Sequence, residues 1–221
     1  MNIQLIIFDF DGTLGDTRRN IVTTMQMTIA EIGLPCRSDA ECASTIGLPL
    51  YGCFEKLFPN TDKRIFQQCV ETYRRIFQEN MQTIKPQTFP KVVETLSALK
   101  EKGLTLAIAS SRSHASLVEL THDLGISNVI SYMIGADDVN KAKPNPEPVL
   151  NILEALGYKA CQTLVVGDMD VDILMGANAG TKTCGVTYGN GTKKELEEVG
   201  ADYVINSIDE LIGIVEKNES N

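Results

Sequence analysis

The sequence predicts an α/β fold, a parallel sheet with helices on both faces, interrupted near its start by an all-helical insertion. Three observations predict it. Residues 5–8, LIIF, form a continuous apolar run, the pattern of a strand covered on both faces. From Pro90 onwards, apolar strands alternate with helical patterns, the grammar of right-handed crossovers between parallel strands. Between these regions, residues 16 to about 85 carry helical patterns and little that reads as strand.

The elements follow in order. Asp16 or Thr17 is placed to cap a helix through IVTTMQMTIAEIG, which stops at Gly33 and Pro35. Ser38 is placed to cap a short helix ending near Ile46-Gly47. YGCFEKLF, closed by Pro59, and DKRIFQQCVETYRRIFQENM, with apolar residues recurring at three and four, complete the insertion. KVVETLSALKEKG is then a helix with basic residues in its last turns. LTLAIAS is a strand, HASLVELTHDLG a helix, VISYMIGAD a strand, and PEPVLNILEALG a helix with proline in its first turn. TLVVGD is a third apolar strand, DILMGANAG a helix, TKTCGVTYG a strand, KKELEEVG a solvated helix, ADYVI a short strand and IDELIGIVEK the closing helix. The final KNESN reads as a loose tail.

Composition narrows the function classes. With 43% hydrophobic residues in 221, the chain has enough apolar material for a core of one large domain or of one domain carrying an insertion. No run approaches the roughly eighteen apolar residues needed to cross a bilayer, and MNIQLIIFDFD has no basic region before its first acid, so a cytoplasmic protein without a membrane partner is expected. Six scattered cysteines form no C-x-x-C pair and read as free thiols in a reducing compartment. The two histidines, His114 and His122, lie at no metal-ligand spacing from a cysteine, which argues against zinc and leaves them as surface helix residues. A net charge of −9 disfavours a nucleic-acid partner and requires local cations wherever an anionic substrate binds.

In parallel sheets, ligands bind beyond the carboxyl ends of the strands. Three strands here end in polar groups at that edge: LIIFDFD, LAIASSR and LVVGDMDVD, joined by the loop KAKPNPEP. Asp9, Asp11 and Asp168, with Asp172 a helical turn further on, form a cluster of hard oxygen donors. As packed anions they would raise one another's pKa, a penalty that a divalent cation removes; all-oxygen ligation suits Mg²⁺. Lys143 is suited to neutralising a transferring phosphoryl group, and the Ser110 hydroxyl and Ser111 N–H to holding a phosphate oxygen. A carboxylate beside a metal can attack phosphorus, and a second carboxyl two residues on can protonate the leaving group and activate water.

D-x-D-G-T at Asp9 to Thr13, the serine ending LAIAS, Lys143-Pro144, and G-D-x-x-x-D at Gly167 to Asp172 resemble, in order and spacing, the four motifs of the haloacid dehalogenase superfamily. The helical insertion directly after the first motif is most similar to the phosphoglycolate phosphatase-like branch with a helical cap. The resemblance implies a Rossmann-like core over residues 1–14 and 86–221 with a cap over 15–85. It implies a Mg²⁺-dependent phosphatase acting on a small phosphorylated metabolite, with phosphoglycolate the first guess, through an aspartyl-phosphate. Residue by residue, it makes Asp9 the nucleophile and a metal ligand, and Asp11 the general acid/base with its carbonyl on the metal. Lys143 stabilises charge, Asp168 ligates the metal, Asp172 orders the metal's water shell or Lys143, and Ser110, Ser111 and Gly12 contact phosphate.

Ser111 and Arg112 stand where relatives often carry Asn and Lys, and Arg112 is read as structural. Asp170 is expected to face solvent or cap its helix. IGLPLYG (Ile46 to Gly52) resembles a substrate-specificity loop, and Arg18 and Arg19 lie near the expected hinge. Four other readings compete. The first is an inorganic pyrophosphatase of the same family. The second is a sugar phosphomutase of the β-phosphoglucomutase kind, disfavoured because Gly167-Asp168 replaces Glu-Asp and Leu48-Pro49-Leu50 lacks an arginine. The third is a dehalogenase, disfavoured by Asp11. The fourth is a non-catalytic phosphate-binding protein.

Overall fold

The computed structural model describes residues 2–219. β1 (Leu5–Phe8) is fully buried and pairs in parallel with β4 (Thr105–Ala109) on one side and β6 (Thr163–Gly167) on the other. β5 (Tyr132–Ile134), β7 (Lys182–Val186) and β8 (Tyr203–Ile205) complete a parallel six-stranded sheet of order β5-β4-β1-β6-β7-β8. The apolar run of β1 divides by parity: Ile6 and Phe8 pack on one face, Leu5 and Ile7 on the other. The strand order reverses beside β1, because the chain builds outward through β4 and β5 and then crosses back to β6. The carboxyl end of β1 therefore lies at a topological switch point, where such sheets bind ligands.

Between β1 and residue 87 stand four helices: α1 (Arg18–Ile32), α2 (Asp39–Ala43), α3 (Leu50–Leu57) and α4 (Lys63–Asn80). α1 packs along α4, burying Ile21, Met25 and Ile29 with Phe66, Tyr73 and Phe77. A buried polar seam adds direction, since Asn80 Nδ2 donates to Thr24 Oγ1 (2.9 Å) and Asn20 Nδ2 to the Ile84 carbonyl (2.8 Å). Ser38 caps α2 reciprocally with Glu41, but the helix ends at Ala43 rather than near Gly47, the chain continuing in turns. Thr17 precedes α1 without capping it; its hydroxyl is drawn to Asp11 instead.

Entry to and exit from this insertion are tied together by two-residue strands, β2 (Gly15–Asp16) and antiparallel β3 (Gln87–Thr88), too short to show periodicity in sequence. The remaining helices are α5 (Val92–Glu101), α6 (His114–Asp123), α7 (Glu147–Leu156), α8 (Asp170–Asn178), α9 (Lys193–Glu198) and α10 (Glu210–Glu219). α8 starts two residues before the sequence pattern does, because the Asp172 carboxylate accepts the Met169 N–H (3.0 Å) at the first turn. α10 continues through Lys217–Glu219 where a loose tail was expected, and the last two residues of KNESN lie outside the described residues. Among the described residues, no helix is long and apolar enough to cross a membrane.

Candidate active site

β1 delivers Asp9 to the carboxyl edge of the sheet, where its N–H extends the ladder to the Val166 carbonyl (2.8 Å). β6 delivers Asp168, the first turn of α8 delivers Asp172, and the loop before α7 delivers Lys143; all four side chains are buried. Lys143 Nζ donates to Asp9 Oδ1 at 2.5 Å and to Asp172 Oδ1 at 2.8 Å. One carboxylate oxygen from each of Asp9, Asp168 and Asp172 lies within 4.8 Å of the others.

Three buried carboxylates face one ammonium, and the electrostatics follow from that count. Burial, with the neighbouring Asp172, Asp168 and Asp11 charges, holds Asp9 well above the usual carboxylate range even against Lys143. Burial, then Asp172, pushes Asp168 up to about 7. Burial by itself would lower Lys143, but the Asp172 and Asp9 charges more than offset it, so the ammonium stays protonated. This donor set fits a divalent cation: hard oxygens, an excess of negative charge, and a desolvation penalty that only further positive charge removes.

Asp168 is pinned on all sides. Its Oδ1 accepts from Thr13 Oγ1 (3.0 Å), and its Oδ2 accepts from the Asn190 N–H (2.7 Å) and Asn190 Nδ2 (3.1 Å). Backbone approaches it so closely that side chains are excluded. A Cβ on Gly12, which has φ of +93°, would sit 2.2 Å from Asp168 Oδ2, and one on Gly189 would sit 2.4 Å away.

Asp11 stands apart from this cluster. Its carboxylate accepts from Arg112 Nε (2.8 and 2.7 Å) and from Thr17 Oγ1 (2.5 Å). Two carboxylates two residues apart thus occupy different surroundings, one locked to a lysine in the floor and one held between an arginine and the start of the insertion. Ser110, ending β4, is buried and lines the same cavity as Asp9 and Asp11. Ser111 Oγ donates to the Gly47 carbonyl (2.6 Å), so that side chain reaches the insertion and only its N–H remains for an anion. Gly12's N–H donates to the Gly15 carbonyl (2.9 Å) inside its own turn. Asp170 accepts the Val171 N–H at the helix start, and His114 pairs with Asp138 at the exposed start of α6 (2.7 Å). A cavity of about 390 Å³ lies over this floor, roofed by apolar residues of the insertion, among them Met25, Leu48, Leu50, Tyr73 and Phe77.

The sequence pattern and this geometry meet in the family match: residues 6–186 fit the model for haloacid dehalogenase-like hydrolases. The chain belongs to that family. It is 34% identical over 219 residues to the pyrophosphatase PpaX of Halalkalibacterium halodurans, covering 97% of this chain and 98% of that protein. It is 33% identical over 187 residues to a phosphoglycolate phosphatase of Aquifex aeolicus, covering 85% and 86%. A crystal structure of a haloacid dehalogenase-like hydrolase from Bacteroides fragilis superposes with a TM-score of 0.89 at 28% identity, covering 95% of this chain and all of that one.

Within this family member, Thr13 and Asn190 contact the site closely without an assigned role from the sequence, and Arg112, read there as structural, is salt-bridged to Asp11. The available signal for Asn190 was its glycine flanks, Gly189 and Gly191, both of which a Cβ would drive into Asp168.

Proposed function

We propose that this protein is a Mg²⁺-dependent phosphatase that hydrolyses a small phosphorylated metabolite in the cytoplasm, with phosphoglycolate the first substrate to test. The observation that carries this is Asp9 at the end of β1, backed by Lys143 at 2.5 Å and opening onto the cavity beneath the insertion. Asp9, the Asp11 carbonyl and Asp168 would hold the cation, with Asp172 fixing Lys143. When bound, Mg²⁺ supplies Lewis-acid polarisation and charge neutralisation at the phosphoryl group.

In this reading an Asp9 carboxylate oxygen attacks phosphorus as the bond to the leaving oxygen breaks, giving an aspartyl-phosphate. Asp11 gives its proton to the leaving oxygen, then takes one from the water that attacks the phosphoenzyme and releases phosphate. Lys143 balances charge on the transferring group, and Ser110 and the Ser111 N–H border its oxygens. Residues 15–85 act as a cap on a core of 1–14 and 86–221, with the β2–β3 pair at the hinge, and closure excludes water until the phosphoenzyme forms. All six cysteines are free thiols, in keeping with a reducing compartment.

A second reading, inorganic pyrophosphatase, is favoured by the relative of that name, which matches over almost the whole chain. The first test is phosphate release from p-nitrophenyl phosphate with Mg²⁺, followed by phosphoglycolate and pyrophosphate. Activity that vanishes in Asp9→Asn supports the assignment; activity that survives the substitution refutes it.

A further inference from the structure

Attack by Asp9 sends the leaving oxygen to the far side of phosphorus, away from the floor and into the cavity beneath the insertion. At about 390 Å³ that cavity holds a small organic ligand and not a phosphoryl group alone. Ile21, Met25, Ile46, Leu50, Tyr73 and Phe77 line it from the insertion, so the leaving side of the substrate meets hydrocarbon and aromatic rings.

The cations that border this space are not free to pair a second anion there. Among the described residues lining the cavity, the basic ones are Arg112 and Arg74. Arg112 Nε donates to both Asp11 oxygens and Nη1 to Ser116 Oγ at 3.2 Å. Its Nη2 has no partner but is enclosed, and so presents no surface to a ligand in the cavity. Arg74 is exposed at the rim, where Glu119 and Asp137 are exposed beside it and leave the rim net negative. With an overall charge of −9, the field at this mouth opposes a ligand more strongly the more anionic groups it carries.

We propose that the preferred substrates are phosphate monoesters whose leaving alcohol carries a neutral, apolar body, an alkyl chain or an aromatic ring, which fills the space beneath the insertion. This rests on the phosphatase reading above and narrows it. Phosphoglycolate and pyrophosphate are anionic on the leaving side too, and set a second charge against apolar walls with no free cation to meet it. An alkyl or aromatic body is instead removed from water by the same walls.

The test measures kcat/KM on the Mg²⁺-loaded full chain, with p-nitrophenyl phosphate as the control for phosphatase activity. Ethyl, n-butyl and n-hexyl phosphate form one series, since their leaving alcohols are alike in reactivity. Isobutyl phosphate, a neutral-tailed counterpart of similar shape, is paired with 2-phosphoglycolate. Each added methylene is expected to raise kcat/KM about two- to fourfold until the cavity is filled. Isobutyl phosphate should exceed phosphoglycolate by about 10–100-fold. Leu50→Arg, which sets a cation in the apolar lining, should bring that ratio to within about threefold of unity. Equal or better use of phosphoglycolate by the wild type overturns the proposal. So does a kcat/KM indifferent to chain length, or no turnover of the alkyl esters beside an active p-nitrophenyl phosphate control. A ratio unmoved in folded Leu50→Arg places the discrimination outside the roof and overturns it too; the wild-type comparisons decide even where that variant fails to fold. Failure to hydrolyse p-nitrophenyl phosphate and every ester overturns instead the phosphatase reading on which the proposal stands.

Discussion

The floor and the roof of the cavity are built on opposite principles. In the floor, Asp9, Asp168, Asp172 and Lys143 are buried charges, with Asp168 bonded three times over and Lys143 bridging two carboxylates. The roof turns Met25, Leu48, Leu50, Tyr73 and Phe77 toward the site. Among the bonds joining roof to floor are Ser111 to Gly47 and Thr17 to Asp11. The difference assigns labour: the floor is costly to assemble and tolerates little movement, whereas apolar contacts that slide without leaving unmet polar groups suit a surface that opens and closes. Substitutions in the floor should therefore act on chemistry and metal, and those in the roof on binding.

Asp11 bridges the two regions and carries the largest expected effect of the substitutions outside Asp9. Asp11→Asn keeps the shape, and an amide oxygen can still accept from Arg112, but it holds no transferable proton. Turnover should fall by about 10²–10⁴-fold while Mg²⁺ and substrate affinity hold. Rapid-quench measurement of turnover beside calorimetric titration of Mg²⁺ separates these, and a fully active Asp11→Asn sinks the acid/base assignment.

Lys143→Met tests the floor as an electrostatic unit. It removes the ammonium from among three buried carboxylates, and breaking such a buried arrangement costs about 3–5 kcal/mol. For a chain of this size that is a fall of about 10 °C in the melting temperature of the metal-free protein. Added Mg²⁺ should recover part of it. A variant melting within about 2 °C of the wild type would show that the carboxylates do not depend on Lys143 for compensation.

How much of this was legible in the sequence follows the same division. Asp9, Ser110 and Asp168 are readable because each follows directly on an apolar strand, and parallel strands bring their carboxyl ends to one edge; Asp11 is readable from its place two residues after Asp9. Lys143 needed only its place in the order of motifs. Thr13, Asn190 and Arg112 bond to residues 155, 22 and 101 positions away, and no local periodicity encodes such pairings. The β2–β3 pair escaped for a simpler reason, since two residues cannot display an alternation. The roof was legible as helices but not as a surface, because which apolar side chains face the core and which the cavity depends on how α1, α3 and α4 pack.

The floor also predicts a pH dependence. Asp168 titrates near 7 in the folded metal-free protein, because of burial and the Asp172 charge, against a usual 3.8. Between those values the folded state binds the proton more tightly than the unfolded chain, so stability is lost as pH rises through that window. Asp9, raised by burial, acts in the same direction. Melting temperature in EDTA should therefore decline from pH 5 to pH 7.5, by about a few degrees. Saturating Mg²⁺ should flatten the curve, since the cation replaces the proton as compensation. An EDTA curve that rises over this range would mean the carboxylates are compensated from elsewhere in the fold.

The smallest effect is expected in the roof. Leu48 borders the cavity one residue from Gly47, whose carbonyl takes the Ser111 hydroxyl, and its side chain is apolar. Leu48→Ala removes apolar surface from the roof of the cavity without changing any charged group of the floor. KM for p-nitrophenyl phosphate should rise about three- to tenfold with kcat within about twofold, the size expected for a partly buried leucine trimmed to its first carbon. If Leu48→Ala instead lowers kcat as far as Asp11→Asn does, the roof takes part in assembling the chemistry, and the division of labour between roof and floor fails.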